Sequence, residues 1–586
     1  MIPVSYRTKC RRKLSGHKFH SNPLVDVAMR RRGVYSASRM NYELKNMLHF
    51  SKLKGISEAS KIIADAVMTN KKILILADYD CDGATACATM VKGLRMLGSK
   101  NVDYAIPDRF TMGYGTTPAL VDSIAHRKPD LIITVDNGIS SFSGIDRIRE
   151  VLPKTQIVVT DHHMASSDGR LPAADAVVNP NQVGCEFESK NLCGCGVAWY
   201  VTLAVRTLMR DRGDFKKLNI EEPNLAYLID LVALATIADV VPLDYNNRIF
   251  VSVGLKLIRS GHACPGINAM FTASGKKIDD ARSSDFAFGI GPRINSAGRL
   301  DDMKIGVICL LADEIGTANL FASELCRTND SRKNIQNRMI AKARLLVEKM
   351  DNKLSLVVHD KEFNEGVIGL VSSRLKETFG VPTFVFTTSE SGMMKASGRS
   401  IPGVHLYETL HEVNDLYALE KGIASDGEKL IPNFGGHAMA AGLSLAPENF
   451  DDFCRLLDVV VSKHISKPLD VVETDGYFDA KDLTYQNISE LQDVSPWGQG
   501  FQEPLLETRL SVVSSSLSKN EKHIFYVLSD GSKEFNAVAF NCNERPHMFR
   551  RPTSEDEDRS VHIVFRADIS EFRGQKEMKF ILESAL

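Results

Sequence analysis

Chemistry in this chain should gather on aspartates that end apolar runs. The first is Ala77-Asp78-Tyr79-Asp80-Cys81-Asp82-Gly83, which follows Ile73-Leu74-Ile75-Leu76. The run reads as a buried parallel strand, apolar on both faces. If the chain stays extended, Asp78, Asp80 and Asp82 project from one face, because strand side chains repeat every two residues. Neighbours would lie about 6.5–7 Å apart. At an effective dielectric of about 20, each such pair repels by roughly 2–3 kcal/mol. A cation among the oxygens relieves that repulsion. Gly83 would then turn the chain sharply into a helix over 84–97. The plainer alternative is a polar strand-to-helix loop.

Two more apolar runs end in the same way. Residues 131–135 lead into Asp136-Asn137-Gly138, and 157–160 into Asp161-His162-His163. Helical spacing at 58–70, 84–97 and 118–127 separates the strands, so the stretch reads as a βαβ series with a parallel sheet. Ligands in such sheets sit beyond the carboxyl ends of the strands. The three motifs should therefore converge. Asp239 closes an apolar stretch, 224–240, read as one helix. Burying that acid alone would cost several kcal/mol, unless it merely faces water at the helix end. Gly291 to Arg299 (GPRINSAGR) reads as a short loop whose arginines and amide suit phosphate oxygens. Cys193-Gly194-Cys195 lacks a Cys/His pair at zinc spacing and reads as reduced thiols.

The elements that position these groups continue through a long charged helix over 316–350. At about 50 Å it is expected to be a connector. A second α/β unit follows from 354. It carries Ser397-Gly398-Arg399 and then Gly435-Gly436-His437, the latter at an expected helix start that could offer N–H groups and an imidazole to an anion. An ordinary Gly-Gly turn is the alternative. Short alternating strands at 510–513, 523–528, 535–540, 561–569 and 578–582 suggest a small β-barrel, a fold that often binds single strands. Trp497 lies at its approach, as a base-stacking or a structural residue.

At 586 residues, 44% hydrophobic and 25% charged, the chain suits two to four globular domains. It has no run of eighteen apolar residues and no secretory core near Met1, and its eleven cysteines show no disulfide spacing. A cytoplasmic protein is expected. Residues 1–50 carry eleven Lys/Arg against Asp26 and Glu43, a basic arm that suggests a polyanionic partner or merely a solubilising terminus.

With these residues in hand, the chain resembles the DHH phosphoesterase superfamily and, within it, the RecJ family of bacterial single-strand-specific 5′→3′ exonucleases. The matches are ADYDCDG, VDNGIS, TDHH, DLVALATIADVVPL, GPRINSAGRLDD, GVIGLVSSRLKETFGVP, ASGRSIPG, FGGHAMAAGLSL and SPWGQGFQEPL, in family order from 77 to about 505. Cys81 and Ser296 stand where the family usually has Ala. On an extended strand Cys81 would point away from the aspartates.

The resemblance implies an α/β fold: a parallel-sheet DHH domain (51–315), a connector helix (316–350), a smaller α/β DHHA1 domain (351–465) and an OB-like β-barrel (466–586) after the arm (1–50). It also implies two Mn²⁺ or Mg²⁺ ions, which oxygen donors with one imidazole suit. Asp80 and Asp136 would hold one ion, with Asp78 beside it. Asp82, Asp136, His162 and Asp239 would hold the other. Asp161 would orient a neighbouring histidine and His163 would face the scissile phosphate. Arg293, Asn295, Arg299 and Arg109 would contact phosphates near the cut. Ser397, Arg399, Gly435, Gly436 and His437 would hold a phosphate at the strand end. The implied substrate is single-stranded DNA, with single-stranded-DNA-binding protein and a helicase as partners and a monomeric state. Rival readings are a phosphoesterase for very short oligonucleotides and a non-catalytic DNA-binding scaffold.

Overall fold

A computed structural model describes residues 7–586, apart from 12, 167, 351–353, 390, 423–426, 428, 465–470, 495, 545–547, 554 and 573–574. The first residues, Arg12 of the basic arm and Ser495 beside Trp497 lie outside the described residues. The chain divides into two compact units, one of residues 8–328 with 473–586 and the other centred on 329–472.

The larger unit is built on a five-stranded parallel sheet. In chain order its elements are β1 (Ile73–Ala77), α1 (Cys81–Met96), β2 (Val102–Ala105), β3 (Leu131–Val135), β4 (Gln156–Thr160) and β5 (Ala176–Val178). The strand order is β2-β1-β3-β4-β5. Every residue of β1 and β3 is buried, as an apolar run covered on both faces requires. α2 (Gly194–Asp211) and α3 (Ile229–Ala238) pack against α1. The apolar stretch expected as one helix from 224 instead opens with a 3₁₀ turn, Leu225–Leu228, because the Asn224 side chain caps that turn by accepting from the Ala226 N–H.

The basic arm is not free within its described residues. Arg30 pairs with Asp26 at 3.0 Å, and the buried Arg32 guanidinium grips Asp475 through two hydrogen bonds. Several of its positive charges are thus committed to packing. The same unit contains a barrel of β12 (Leu506–Leu517), β13 (Ile524–Ser529), β14 (Glu534–Ala539), β15 (Ser560–Phe572) and β16 (Gln575–Ala585). It closes by β12 pairing with both β13 and β15. Trp497 stacks on Phe501 at 5.4 Å and lies under the Arg32 guanidinium, so its ring takes part in packing.

The smaller unit holds a five-stranded sheet of β6 (Leu356–His359), β7 (Thr383–Thr388), β8 (Met394–Arg399), β9 (Asn433–Gly436) and β10 (Ala440–Leu445), in the order β9-β10-β8-β7-β6. β11 (Gly476–Tyr477) leads into the barrel. The expected long helix is present as Ile315–Val347, and the division between the units falls inside it. No described helix is long and apolar enough to cross a membrane.

Candidate metal centre

β1 stops at Ala77, so Asp78, Asp80 and Asp82 do not alternate along a strand. Asp80 is the N-cap of α1: its carboxylate accepts the Gly83 N–H at 3.0 Å, and the helix starts at Cys81, three residues earlier than expected. An aspartate at a helix start satisfies an orphan N–H that would otherwise face the core. Cys81 is therefore a buried helical residue, with its N–H on Asn295 Oδ1 at 2.8 Å. Gly83 is helical too. A Cβ there would lie 2.4 Å from the Asp78 carbonyl oxygen, so glycine serves close approach and not a turn.

The carboxyl ends of β3 and β4 bring in the rest. Asp136 sits in the left-handed region at φ 60°, a strained conformation for a residue with a side chain. Both oxygens of Asp82 are held by the N-terminus of α2, from Gly194 N–H at 2.6 Å and Cys195 N–H at 2.8 Å. Aligned peptide dipoles favour an anion there. A Cβ on Gly194 would meet Asp136 Oδ1 at 2.4 Å. The sequence reading missed this role for Gly194 and Cys195; two small residues opening a long apolar helix were the available signal.

His162 Nε2 lies 3.2 Å from Asp136 Oδ1, 3.5 Å from Asp239 Oδ2 and 3.8 Å from Asp82 Oδ2. Asp239 follows the last residue of α3, its side chain 25% exposed. It is thus neither sealed in the core nor freely solvated. Asp161 organises the loop: it accepts from the N–H groups of His162, His163 and Ile139 and from His163 Nδ1, at 2.7 to 3.1 Å. Asn181 and Asn179 donate to the carbonyl oxygens of His162 and His163. His163 Nε2 meets the Tyr114 hydroxyl at 3.1 Å.

Burial, followed by repulsion from neighbouring aspartates, pushes the carboxyls of Asp78 and Asp136 well above the usual range. The same causes hold Asp82 up at about 7 and Asp239 at about 9. Burial and then the charge of His163 lower His162 to about 4, which leaves its Nε2 a lone-pair donor. For His163 burial is the largest single influence and opposes charge, but the Asp161 hydrogen bond and the charges of Asp161, Asp239 and Asp78 together outweigh it, and the imidazole rises to about 9.

These residues fit a divalent metal. Asp78 Oδ1, Asp136 Oδ1 and His162 Nε2 are buried without a hydrogen-bond partner, a costly condition for polar atoms unless a cation satisfies them. Ligand atoms of Asp78, Asp80 and Asp136 lie within 4.8 Å of one another, as do those of Asp82, His162 and Asp239 and those of Asp136, His162 and His163. Oxygen donors with one imidazole suit a hard ion.

The expected phosphate loop is a helix, Gly291–Leu300. Pro292 sits in its first turn, where proline favours a helix and does not break it. Gly298 allows the helix to press against the Tyr79 carbonyl oxygen, which a Cβ would approach to 2.0 Å. Arg293 donates to Cys326 Sγ at 3.2 Å and to the Gly289 carbonyl oxygen. Arg109 lies 5.2 Å over the Tyr79 ring. Burial, ahead of the charge on Asp78, raises the Tyr79 phenol to about 12, while Arg109 and Arg299 act against that rise.

In the smaller unit, Arg399 Nη1 donates to Ser397 Oγ at 2.9 Å along β8. Gly435 and Gly436 belong to β9, and His437 opens the turn into β10, its N–H on the Ala440 carbonyl. The expected helix start is thus a hairpin, since β10 supplies strand partners for both glycines. The register Gly435–Gly442–Ser397 brings the two motifs together across three strands.

Comparison with known proteins follows the same division. A model described as the N-terminal domain of the DHH family matches residues 72–236, the DHHA1 domain matches 343–463, and the RecJ OB domain matches 474–584. A single-stranded-DNA-specific exonuclease RecJ from Salmonella typhimurium is 39% identical over 96% of this chain and 95% of its own length. The crystal structure of Thermus thermophilus RecJ with Mn²⁺ superposes with a TM-score of 0.76 at 25% identity, covering 96% of this chain and 76% of that one. The same protein with Mg²⁺ gives a TM-score of 0.71 at 23% identity, over 96% and 74%. The chain belongs to the RecJ family.

Proposed function

We propose that the protein is a divalent-metal-dependent exonuclease that degrades single-stranded DNA from the 5′ end to mononucleotides. The observation that carries this reading is the convergence of three partnerless buried ligand atoms, from Asp78, Asp136 and His162, at the carboxyl edge of the parallel sheet. Relatives named as single-stranded-DNA-specific exonucleases, matching nearly the whole chain, supply the substrate class.

Asp78, Asp80 and Asp136 would hold one ion and Asp82, Asp136, His162 and Asp239 a second, with Asp136 shared. Two such ions would activate water and stabilise the leaving oxygen of an in-line displacement. Asp161 fixes the His163 ring so that Nε2 faces outward, where it can meet a phosphate oxygen. Arg109, Arg293 and Arg299 supply positive charge for the sugar–phosphate chain, although Arg293 must leave Cys326 and Gly289 to reach it. Asn295 secures the aspartate turn through Cys81, which makes it a positioning residue. Ser397, Arg399, Gly435, Gly436 and His437 would take the terminal phosphate, and that grip makes the reaction exonucleolytic. Single-stranded-DNA-binding protein and a helicase are the expected partners, in a cytoplasm that suits eleven cysteines held as thiols.

Oligonucleotides labelled at either end test the reading in the presence and absence of Mn²⁺. Labelled mononucleotide should appear first from the 5′ label and only with metal. Early release from the 3′ label would reverse the polarity.

A further inference from the structure

The Tyr114 hydroxyl has one hydrogen-bond partner among the described residues, His163 Nε2 at 3.1 Å. That imidazole is not free to turn elsewhere, since Asp161 holds its Nδ1 at 2.8 Å and the backbone N–H of the same residue at 3.1 Å. The one outward nitrogen of His163 and the phenol oxygen therefore share a single spot beside the metal centre. Tyr114 is 46% exposed, so its ring lines an open wall and is not a core residue. A hydroxyl kept for stability alone would be expected to meet a partner in the protein interior.

The carrier of Tyr114 is built to hold it there. Gly113 and Gly115, at φ 80° and 73°, turn the backbone on either side. The next residue, Thr116, donates its hydroxyl to Asn137 Oδ1 at 2.7 Å, tying the turn to the residue after Asp136. The Tyr114 ring meets Tyr79 edge-on at 6.0 Å, between Asp78 and Asp80 in sequence. One turn thus touches all three ligand-bearing loops, at Tyr79, Asn137 and His163.

We propose that Tyr114 is a further substrate-contacting residue, whose hydroxyl turns from His163 Nε2 to grip, together with it, one non-bridging oxygen of the phosphodiester being cut. This rests on the exonuclease reading. Two polar groups about 3 Å apart can flank one tetrahedral phosphate oxygen, where negative charge is stabilised during displacement. The contact strengthens as that charge develops, so its loss should fall on kcat more than on KM.

The test compares wild type with Tyr114→Phe in the full chain with Mn²⁺. Phenylalanine keeps the edge contact with Tyr79 and removes only the hydroxyl, so melting temperature and Mn²⁺ affinity should match wild type. The expected result is a kcat about ten-fold lower with KM changed less than two-fold. On substrates carrying either phosphorothioate diastereomer at the terminal linkage, the diastereomer preference of wild type should shrink in the variant. An unchanged kcat, or a lower kcat with the preference intact, overturns the inference. Wild-type protein that releases no nucleotide contradicts the exonuclease reading and this inference with it, whereas an active wild type matched by Tyr114→Phe contradicts the inference alone.

Discussion

At the scale of single residues, the site is an arrangement of acids that the protein alone cannot satisfy. Asp136 is the extreme case, with a left-handed backbone, a buried partnerless oxygen and membership of two ligand groups. Asp136→Ala should lower kcat by about a thousand-fold or more, since metal-held charge stabilisation is worth several kcal/mol. Binding of single-stranded DNA should stay near wild type in a filter or fluorescence assay. The raised carboxyls also set a pH dependence for the metal-free fold. Asp82 and Asp239 keep protons to about 7 and about 9, whereas in the unfolded chain they lose them near 4. Their contribution to stability is complete below pH 4 and is lost as pH rises through those values. With a chelator present, the melting temperature should fall between pH 6 and pH 9. Added Mn²⁺ should raise it more at the higher pH. A flat or rising profile without metal would contradict the assignment of protons to these acids.

At the scale of elements, small residues set the spacing. Gly194 lets α2 present two N–H groups to Asp82 while leaving room for Asp136. Gly194→Ala should cost about a hundred-fold in activity, the order expected when a catalytic group shifts by about 1 Å. A fold measured by circular dichroism should survive the change. Much of this scale was legible beforehand. The apolar runs ending at Asp78, Asp136 and Asp161 located the strands, and alternation located all five barrel strands. The misreadings have separate causes. Period-two reasoning cannot say where a strand stops, so it carried β1 through Asp82, although an aspartate before an apolar helix is also a capping signal. Glycine and proline in GPRINSAGR looked like loop residues; in the structure the proline starts a helix and the glycine permits contact with Tyr79. The paired glycines before His437 read as a helix start because their strand partners, Ala441 and Gly442, come later in the chain.

For the whole molecule, the order of motifs foretold the order of folds, but not which parts form one compact unit. The sequence set residues 1–50 aside as an arm, yet Arg32 reaches Asp475, with side chains 2% and 0% exposed. Charge counting could not see a partner 443 residues away. Asp475→Ala should destabilise the larger unit by about 3–5 kcal/mol, the usual effect of leaving one charge of a buried pair alone. Denaturant unfolding would measure it, and a change under 1 kcal/mol would show the pair to be incidental. We propose that Asp78, Asp80, Asp82, Asp136, His162 and Asp239 together hold two metal ions. Titration of the full-length, metal-free protein with Mn²⁺, followed by calorimetry and electron paramagnetic resonance, tests it most directly. Two ions per chain with a spin-coupled signal are expected in wild type, and loss of that coupling in Asp136→Ala. A single uncoupled ion in wild type, or coupling that survives the substitution, would contradict it.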